Sequence, residues 1–331
     1  GIRYKMTSSD TRTMSFPANS LLAATFNDKL AYDVAAGMGE DMLHSDCESM
    51  YGTAPNLHRS LYGGRAFEYY SEDGFLSGMM CNQQTKGMQD KGVYVVIKHL
   101  ALNDQETNRH GVGIWANEQS IREVYLEAFR PSVEDGNARS MMSSFTRFGT
   151  VWSGAYGNLN NQVLRGEWGF DGAVVTDWGG SNSIVEGVRE GMNLEMPAAG
   201  DDSPCQLVKA VKDGTIDEKI VDERVDQLLD FVLAARKSSG ETSFDAAKQH
   251  QAAEAAAEKC LVLLKNDEHL LPLKKDARVA VIGEFAARSR YQGAGSSMVN
   301  AAQVDDTLPM LDEFFPARVG FAQGFERLDA A

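Results

Sequence analysis

The stretch Val93-Tyr94-Val95-Val96-Ile97 is an uninterrupted apolar run that ends on the polar pair Lys98-His99. Short apolar runs of this length are typical of strands that are buried on both faces, as in parallel sheets. An amphipathic stretch follows from Asn117, with apolar residues at helical spacing as far as Gly136. The combination predicts a βα unit with polar side chains at the carboxyl end of its strand.

The same alternation repeats as far as residue 197. Further strands are predicted over residues 140–145 and 173–176, and further helices over residues 159–168 and 184–189. Strands that alternate with helices build a parallel sheet, so we expect an α/β fold. The length of 331 residues fits either two domains or one large α/β barrel with an appendage.

A well-specified helix is predicted over residues 215–237, where Thr215 and Glu218 form a capping-box pattern. Apolar residues at helical spacing are expected to form its buried face: Val221, Val225, Leu228, Leu229, Val232 and Leu233. The small polar residues 237–243 then indicate a linker.

A second α/β domain is expected beyond this linker. An Ala-rich helix over residues 246–259 leads into two strand-like runs, at 261–264 and 278–283. The expected division is therefore a barrel domain over residues 1–237, a linker and helix over 238–260, and a partial domain over 261–331.

Composition excludes several classes of protein. Hydrophobic residues make up 43% and charged residues 24%, which are values of a folded chain. The net charge of −15 argues against nucleic acid as a partner, and no apolar window is long enough to span a membrane. The four cysteines are far apart, which argues against a zinc site, and no metal is expected.

Polar residues directly after apolar runs are the first candidates for chemistry, because the active site of a parallel barrel lies at the carboxyl ends of its strands. Lys98-His99, the run 142–145 and Asp177 occupy such positions. A strand-end aspartate can also simply cap the next helix, and both readings of Asp177 stay open on this pattern alone. Arg65 follows two glycines and precedes several carboxylates that can hold its guanidinium.

The residues 98–109, Lys-His-Leu-Ala-Leu-Asn-Asp-Gln-Glu-Thr-Asn-Arg, resemble the K-H-F-A-x-N-D-Q-E signature of glycoside hydrolase family 3, in its β-glucosidase branch. The segments 64–73, 142–145 and 174–178 are similar to other motifs of that family, in the same order. Segments 263–266 and 290–297 extend the resemblance over nearly the whole chain.

The resemblance implies a fold, a mechanism and a set of site residues. The fold is a (β/α)8 TIM-type barrel, N-terminally incomplete here, followed by the beginning of an α/β sandwich domain. The mechanism is retaining, with Asp177 as the nucleophile, and no cofactor is implied. Residues expected to bind the sugar or line its pocket are Arg65, Lys98, His99, Met142, Phe145 and Trp178.

A retaining enzyme needs an ionised carboxylate, and we expect the cationic groups of Lys98 and His99 to favour that form of Asp177. It also needs a protonated acid. The resemblance places the acid/base Glu beyond the last residue of this chain, and Glu284 does not match its motif. The family's Asp-Gly-Pro segment, whose Asp grips the sugar, would lie just before Gly1. We therefore expect a chain cut at both ends, with no identifiable acid/base.

The expected activity is hydrolysis of terminal non-reducing β-D-glucosyl residues. Alternatives are a β-xylosidase or another β-glycosidase of the family, and an impaired fragment that only binds carbohydrate. The expected partners are β-linked glucosides or oligosaccharides, with neither nucleic acid nor membrane. The sequence does not decide the linkage and aglycone preference or the compartment. It also leaves the oligomeric state open, and a homo-oligomer is possible.

Overall fold

The computed structural model describes residues 12–198, 200–238, 244–316 and 319–326. Contacts divide the chain into two units. One unit comprises Phe16–Asp245, and the other comprises Ala246 onward together with the described residues that precede Phe16. Most of the predicted linker, over residues 239–243, lies outside the described ranges.

The described strands, in chain order, are β1 (Ser49–Tyr51), β2 (Tyr94–Leu100), β3 (Gly113–Ile114), β4 (Ser140–Ser143), β5 (Arg147–Phe148), β6 (Val151–Trp152), β7 (Ala173–Thr176), β8 (Val279–Ile282) and β9 (Val319–Ala322). The described α-helices are α1 (Asn19–Ala23), α2 (Asp28–His44), α3 (Gly74–Gln89), α4 (Glu118–Ser120), α5 (Arg130–Glu134), α6 (Ile184–Arg189), α7 (Asp202–Lys212), α8 (Glu218–Ser238), α9 (Ala246–Lys259) and α10 (Thr307–Phe314). Wider π-helical turns form Ile121–Leu126 and Asn158–Glu167.

A parallel sheet forms the centre of the first unit. Its strands lie in the order β1-β2-β4-β7, and each neighbouring pair is parallel. The bridge from Val175 to Leu194 extends the sheet beyond β7. The strands predicted from the three apolar runs are confirmed, with ends that differ by a few residues. All four residues of β4 and of β7 are buried, as expected of inner strands of a parallel sheet.

Side-chain caps fix where several helices of the first unit begin. The side chain of Asn27 accepts a hydrogen bond from Leu30 N–H at the start of α2, and that of Asp73 accepts one from Leu76 N–H at the start of α3. Asn117 caps α4 in the same way, where the sequence predicts a helix start. These residues satisfy backbone N–H groups that a first helical turn leaves without partners.

Helix α8 differs from its prediction in two respects. Thr215 does not cap it: the Thr215 hydroxyl donates to Asp213 Oδ1, and Asp217 Oδ1 accepts from Lys219 N–H instead. The predicted apolar face is largely exposed, and 50% of Leu229 and 62% of Leu233 face solvent. Helical periodicity shows which residues share a face, but a neighbouring element is needed to bury that face.

The second unit contains a smaller sheet. Strand β8 pairs in parallel with β9, and its side chains alternate between half-buried and exposed. The predicted strand over residues 261–264 is wrong, because no strand forms there. Leu261 and Leu264 are 83% and 92% exposed.

The architecture is α/β, as the sequence predicts. In the described residues the sheet is an open row of β1, β2, β4 and β7. A separate small sheet has the order β3-β5-β6, and in the chain β3 precedes β4 whereas β5 and β6 follow it. Within the described ranges, no helix has both the length and the apolar composition needed to cross a bilayer.

Candidate active site

Two strand ends and one loop bring an arginine, a histidine and an aspartate together. His99 lies near the end of β2, Asp177 directly follows β7, and Arg65 lies in the loop before α3. The His99 Nε2 atom is 2.9 Å from Arg65 Nη2 and 3.3 Å from Asp177 Oδ2. The carboxyl edge of the sheet therefore holds the polar cluster that the positions of these residues predict.

The Arg65 loop has a backbone that favours glycine. Gly64 has a φ of +86°, in the left-handed region, and a Cβ atom there would lie 2.9 Å from Glu106 Cγ. The guanidinium of Arg65 donates through Nε to Glu68. This contact confirms that a carboxylate following Arg65 holds its side chain, and Tyr69 and Tyr70 in the same loop are buried rather than solvated.

Glu68 connects two cations. Besides its contact with Arg65, its Oε2 atom lies 3.6 Å from Lys98 Nζ. Burial raises the pKa of Glu68, but Lys98 and Arg65 outweigh burial and hold that pKa below its usual value. Burial also lowers the pKa of Lys98, which Glu68 and Asp177 oppose. Glu68 therefore stays ionised and keeps both cations beside the strand ends.

His99 is buried and tied to a neighbouring segment by its backbone. Its N–H donates to Asn56 Oδ1 at 2.8 Å, and its carbonyl accepts from Asn56 Nδ2 at 2.9 Å. Burial, reinforced by Arg65, Lys98 and Arg109, holds the pKa of His99 well below its usual value. The imidazole is therefore neutral at physiological pH.

The two carboxylate oxygens of Asp177 differ in their partners. Oδ1 accepts the backbone N–H of Trp178 at 2.7 Å, whereas Oδ2 has no hydrogen-bond partner in the described part of the chain. The 3.3 Å separation from His99 Nε2 is close contact without hydrogen-bond geometry. One oxygen is thus held by the backbone and the other is left without a donor.

The expectation that neighbouring cations favour ionised Asp177 is only partly met. Burial raises the pKa of Asp177, and the Trp178 N–H, Arg65, Lys98 and Arg109 lower it without cancelling that rise. His99 contributes no charge because it is neutral. Burial therefore outweighs the cations, and a deprotonated Asp177 is a less strongly solvated, more basic carboxylate than one in water.

Two further polar residues, Arg109 and His110, pack against the ring of Phe145. Phe145 is 2% exposed, and the Arg109 guanidinium lies 4.0 Å from its ring centroid. The His110 ring lies 4.4 Å away, and Arg109 Nη1 donates to Glu106 Oε2 at 2.7 Å. Arg109 was not among the predicted site residues, although it lies inside the segment 98–109 that carries the signature.

The two other predicted site residues have different surroundings. Trp178 is 55% exposed beside Asp177, where an indole face is accessible from solvent. Met142 is buried in a cluster with Val96, Val175 and Met196, and it lies opposite Lys98 in the pairing of β2 with β4. Its pocket-lining role stays a prediction from the resemblance.

The arrangement is suited to carboxylate chemistry on a polar, uncharged substrate. It presents an oxygen without a donor, three cations that can donate to hydroxyls, and an exposed indole. The described residues hold no group of three or more His, Cys, Asp or Glu side chains placed to bind a metal ion.

Two family models match this chain. Residues 4–231 match the glycosyl hydrolase family 3 N terminal domain, and residues 261–327 match the glycosyl hydrolase family 3 C-terminal domain. The first match alone covers more than half of the 331 residues.

Curated relatives agree with these matches. Thermostable beta-glucosidase B of Acetivibrio thermocellus is 35% identical over 292 residues, which is 88% of this chain and 39% of that protein. Exo-alpha-(1->6)-L-arabinopyranosidase of Bifidobacterium longum is 36% identical over 321 residues, which is 94% of this chain and 42% of that protein.

A solved structure of a Bifidobacterium adolescentis GH3 beta-glucosidase superposes with a TM-score of 0.91 at 34% identity, covering 98% of this chain and 48% of that one. Beta-glucosidase 3B of Thermotoga neapolitana, solved with alpha-D-glucose, gives a TM-score of 0.88 at 30% identity, covering 97% and 46%. The chain thus spans less than half the length of each of these relatives. With both family domains matched and the polar cluster in place, the chain belongs to glycosyl hydrolase family 3.

Proposed function

We propose that this chain carries the nucleophilic half of a retaining β-glucosidase, with Asp177 as the nucleophile. The single observation that supports this most is the unpartnered Oδ2 of Asp177, at a strand end and within 3.3 Å of His99. A carboxylate that only caps a helix directs its oxygens at backbone N–H groups, and here only Oδ1 does so. The similarity to named β-glucosidases supports the same assignment.

In the proposed first step, Asp177 Oδ2 attacks the anomeric carbon of a β-glucoside, and a new C–O ester bond forms. The bond from that carbon to the glycosidic oxygen breaks, and its electron pair leaves with the aglycone. In the second step water attacks the same carbon, the ester C–O bond breaks with its electron pair returning to Asp177, and the surplus proton of the water passes to solvent. The carboxylate must be ionised for the first step, so its raised pKa sets a lower pH limit for the reaction.

The sugar's hydroxyls would be bound by the cations around Asp177. Arg65 and Lys98 both pair with Glu68, which holds the two side chains in place. Their remaining N–H groups can then donate to the sugar's hydroxyls. Trp178, which is half exposed beside the nucleophile, offers an apolar face to the sugar or to the leaving group. We assign no residue of this chain as the general acid.

The barrel and the domain boundaries are part of the same proposal. We propose that β1, β2, β4 and β7 are part of a (β/α)8 barrel, and that residues 1–237 form its domain. Residues 238–260 would be a linker and helix, and residues 261–331 part of an α/β sandwich domain. The parallel order of the four strands and the high TM-scores support these assignments.

The test uses a substrate that needs no general acid. The 331-residue chain is incubated with a 2-deoxy-2-fluoro-β-glucoside that carries a dinitrophenyl leaving group, and dinitrophenolate release and intact mass are followed. We expect one equivalent of dinitrophenolate and a stable fluoroglucosyl adduct. No adduct after days of incubation would contradict the proposal, and would favour the alternative of a fragment that only binds carbohydrate.

A second candidate is a glycosidase that acts on a pentopyranoside. The relative named as an arabinopyranosidase matches at 36% identity, slightly above the named β-glucosidase at 35%. Fluorinated xyloside and arabinopyranoside reagents with the same leaving group separate the candidates. Faster labelling by a pentoside than by the glucoside would replace β-glucosidase with β-xylosidase or arabinopyranosidase, while leaving Asp177 as the nucleophile.

A further inference from the structure

Asn56 is a buried residue that sequence reasoning left without a role. It is 2% exposed and lies in the segment that follows β1. Its amide makes two hydrogen bonds to the backbone of His99, as donor to the carbonyl and as acceptor from the N–H. Because a backbone carbonyl only accepts and an N–H only donates, these bonds fix which amide atom is oxygen.

The oxygen so assigned also faces the imidazole ring. Asn56 Oδ1 lies 3.4 Å from His99 Nδ1, and it can only accept a hydrogen bond. On the opposite side of the ring, Arg65 Nη2 lies 2.9 Å from His99 Nε2, and a guanidinium can only donate. The proton of the neutral imidazole therefore belongs on Nδ1, toward Asn56, and the lone pair belongs on Nε2, toward Arg65.

The tautomer of His99 decides whether Asp177 Oδ2 lies beside a hydrogen-bond donor. That Oδ2 atom is 3.3 Å from His99 Nε2, and in the Nδ1–H tautomer Nε2 has no proton to donate. In the other tautomer Nε2–H would lie beside that carboxylate oxygen and could hydrogen-bond to it. Such a bond would stabilise the ionised ground state of the oxygen and compete with its attack on carbon.

We propose that Asn56 is a positioning residue that holds His99 in the Nδ1–H tautomer and so keeps the Oδ2 atom of Asp177 free to attack. The inference rests on the proposed function, because it takes Asp177 as the nucleophile. The cations do not impose the tautomer alone: Arg65 disfavours a proton on Nε2, and among the described residues it is Asn56 that offers an acceptor to Nδ1.

Other groups around His99 limit what a pH profile can report. Arg65, Lys98 and Arg109 place positive charge near the ring, Asp177 places a carboxylate near Nε2, and Tyr69 packs its ring edge-on at 6.3 Å. A tautomer measurement is therefore the primary readout, because a merely structural role for Asn56 would not move it.

The experiment uses the whole chain with 15N-labelled histidine. Long-range proton–nitrogen spectra separate protonated from unprotonated ring nitrogens, and the signals of His99 among the six histidines are those missing from His99→Gln. Wild type should show a protonated Nδ1 and an unprotonated Nε2. A protonated Nε2 in the wild type would overturn the inference without any Asn56 variant.

The variants then test the assigned cause. Asn56→Leu removes the acceptor, and we expect Nε2–H to become populated and the rate of labelling by the fluoroglucoside to fall roughly tenfold or more. Asn56→Asp keeps an oxygen beside Nδ1 but loses the Nδ2 donor to the His99 carbonyl, so it should retain the Nδ1–H tautomer and label faster than Asn56→Leu but more slowly than wild type. This variant also serves if Asn56→Leu does not fold.

A matched control separates the tautomer effect from loss of a buried amide. Asn82 is 1% exposed and donates to Asp135 at 2.7 Å, away from the polar cluster. Asn82→Leu should leave both the His99 spectrum and the labelling rate unchanged. An unchanged His99 tautomer in Asn56→Leu, or in Asn56→Asp a shift to Nε2–H, would contradict the inference. Absence of labelling in wild type would instead contradict the proposed function, and the spectra would still decide the role of Asn56.

Discussion

Two carboxylates follow apolar parallel strands in this chain, and their surroundings are different. Asp177 directly follows β7, all of whose side chains are buried. Glu284 follows β8 after one glycine, and β8 alternates between half-buried and exposed side chains. As sequence patterns the two are similar, since each is a short apolar run that ends on an acid.

Neighbouring side chains make the difference. Asp177 lies beside His99 and has Arg65, Lys98 and Arg109 close enough to lower its pKa against the effect of burial. Glu284 opens a short helical turn, and Gln323 donates to its Oε2 atom at 3.4 Å. A strand-end acid is therefore only a candidate, and the converging loops decide whether it can act as a nucleophile.

The largest expected effect comes from exchanging each of these acids for its amide. Asp177→Asn should lower the rate of dinitrophenolate release from the fluoroglucoside by about 10⁴-fold or more, because an amide is a very poor nucleophile. Glu284→Gln should leave the rate within about twofold of wild type. Equal losses in the two variants would remove the distinction between the two acids.

Glu68→Gln tests whether the cations beside Asp177 need their own anchor. The change removes the carboxylate 3.6 Å from the largely buried Lys98 Nζ and leaves Asp177 as its remaining counter-charge, so we expect a loss of about 3 kcal/mol in the free energy of unfolding. Labelling should slow by roughly 10–100-fold because Arg65 and Lys98 lose their fixed positions.

An exposed ion pair provides the control for Glu68. The side chain of Glu118 is 79% exposed in its pair with Arg122, and Glu118→Gln should cost less than about 0.5 kcal/mol. Urea unfolding and labelling kinetics measure both quantities. A Glu68→Gln protein as stable and as reactive as wild type would show that the anchor is unimportant.

Truncations in the two strands compare their packing. Val174 is 0% exposed in β7, and Val174→Ala should lower the free energy of unfolding by about 2 kcal/mol through lost burial and a residual cavity. Ile282 is 75% exposed in β8, and Ile282→Ala should change it by less than about 0.5 kcal/mol. Urea unfolding of both variants is the measurement, and a larger loss for Ile282→Ala would reverse the comparison.

Asp104 is a carboxyl group whose pKa is set mainly by burial, whereas the pKa of Asp177 also responds to three nearby cations. Burial raises its pKa to about 6, while the Leu57 N–H and Arg59 oppose the rise. The folded chain thus holds this proton more tightly than the unfolded chain, whose pKa is near 3.8. The stability from this group is present below about pH 4 and is lost as pH rises through about 6.

Asp104→Asn removes this pH dependence of the free energy of unfolding. It keeps an oxygen for the Leu57 N–H, which donates to Asp104 Oδ1 at 2.9 Å. We expect the wild type to lose on the order of 1–2 kcal/mol relative to the variant between pH 4 and pH 7. Urea unfolding at several pH values measures this difference. Parallel curves for the two proteins would mean that burial does not raise this pKa.

Much of the sheet could be predicted from the sequence. Apolar runs predicted the positions of β2, β4, β7 and β8, although the side chains are fully buried only in β4 and β7 of these four. The two-residue strands β3, β5 and β6 were missed, since two residues carry no periodicity. The exposed face of α8 and the missing strand at 261–264 show that a pattern predicts an element, whereas burial depends on neighbours.

The candidate site divides in the same way. Arg65, Lys98, His99 and Asp177 were predicted, and the structure brings them together at one edge of the sheet. Glu68 was predicted only as one of the carboxylates that can hold Arg65, and the contributions of Arg109 and Asn56 were not predicted. Along the chain, Asn56 and Glu68 lie 42 and 30 residues before Lys98, and Arg109 lies 11 residues after it. Three-dimensional contacts, such as that of Asn56 with His99, are needed to reveal their roles.

The central claim is that Asp177 is the nucleophile, and peptide mapping of the labelled chain tests it most directly. After reaction with the fluoroglucoside, the chain is digested and the modified residue is located by fragmentation in a mass spectrometer. We predict that the fluoroglucosyl group is attached to Asp177. Attachment to Glu284, to Glu68 or to any other carboxylate would contradict the account.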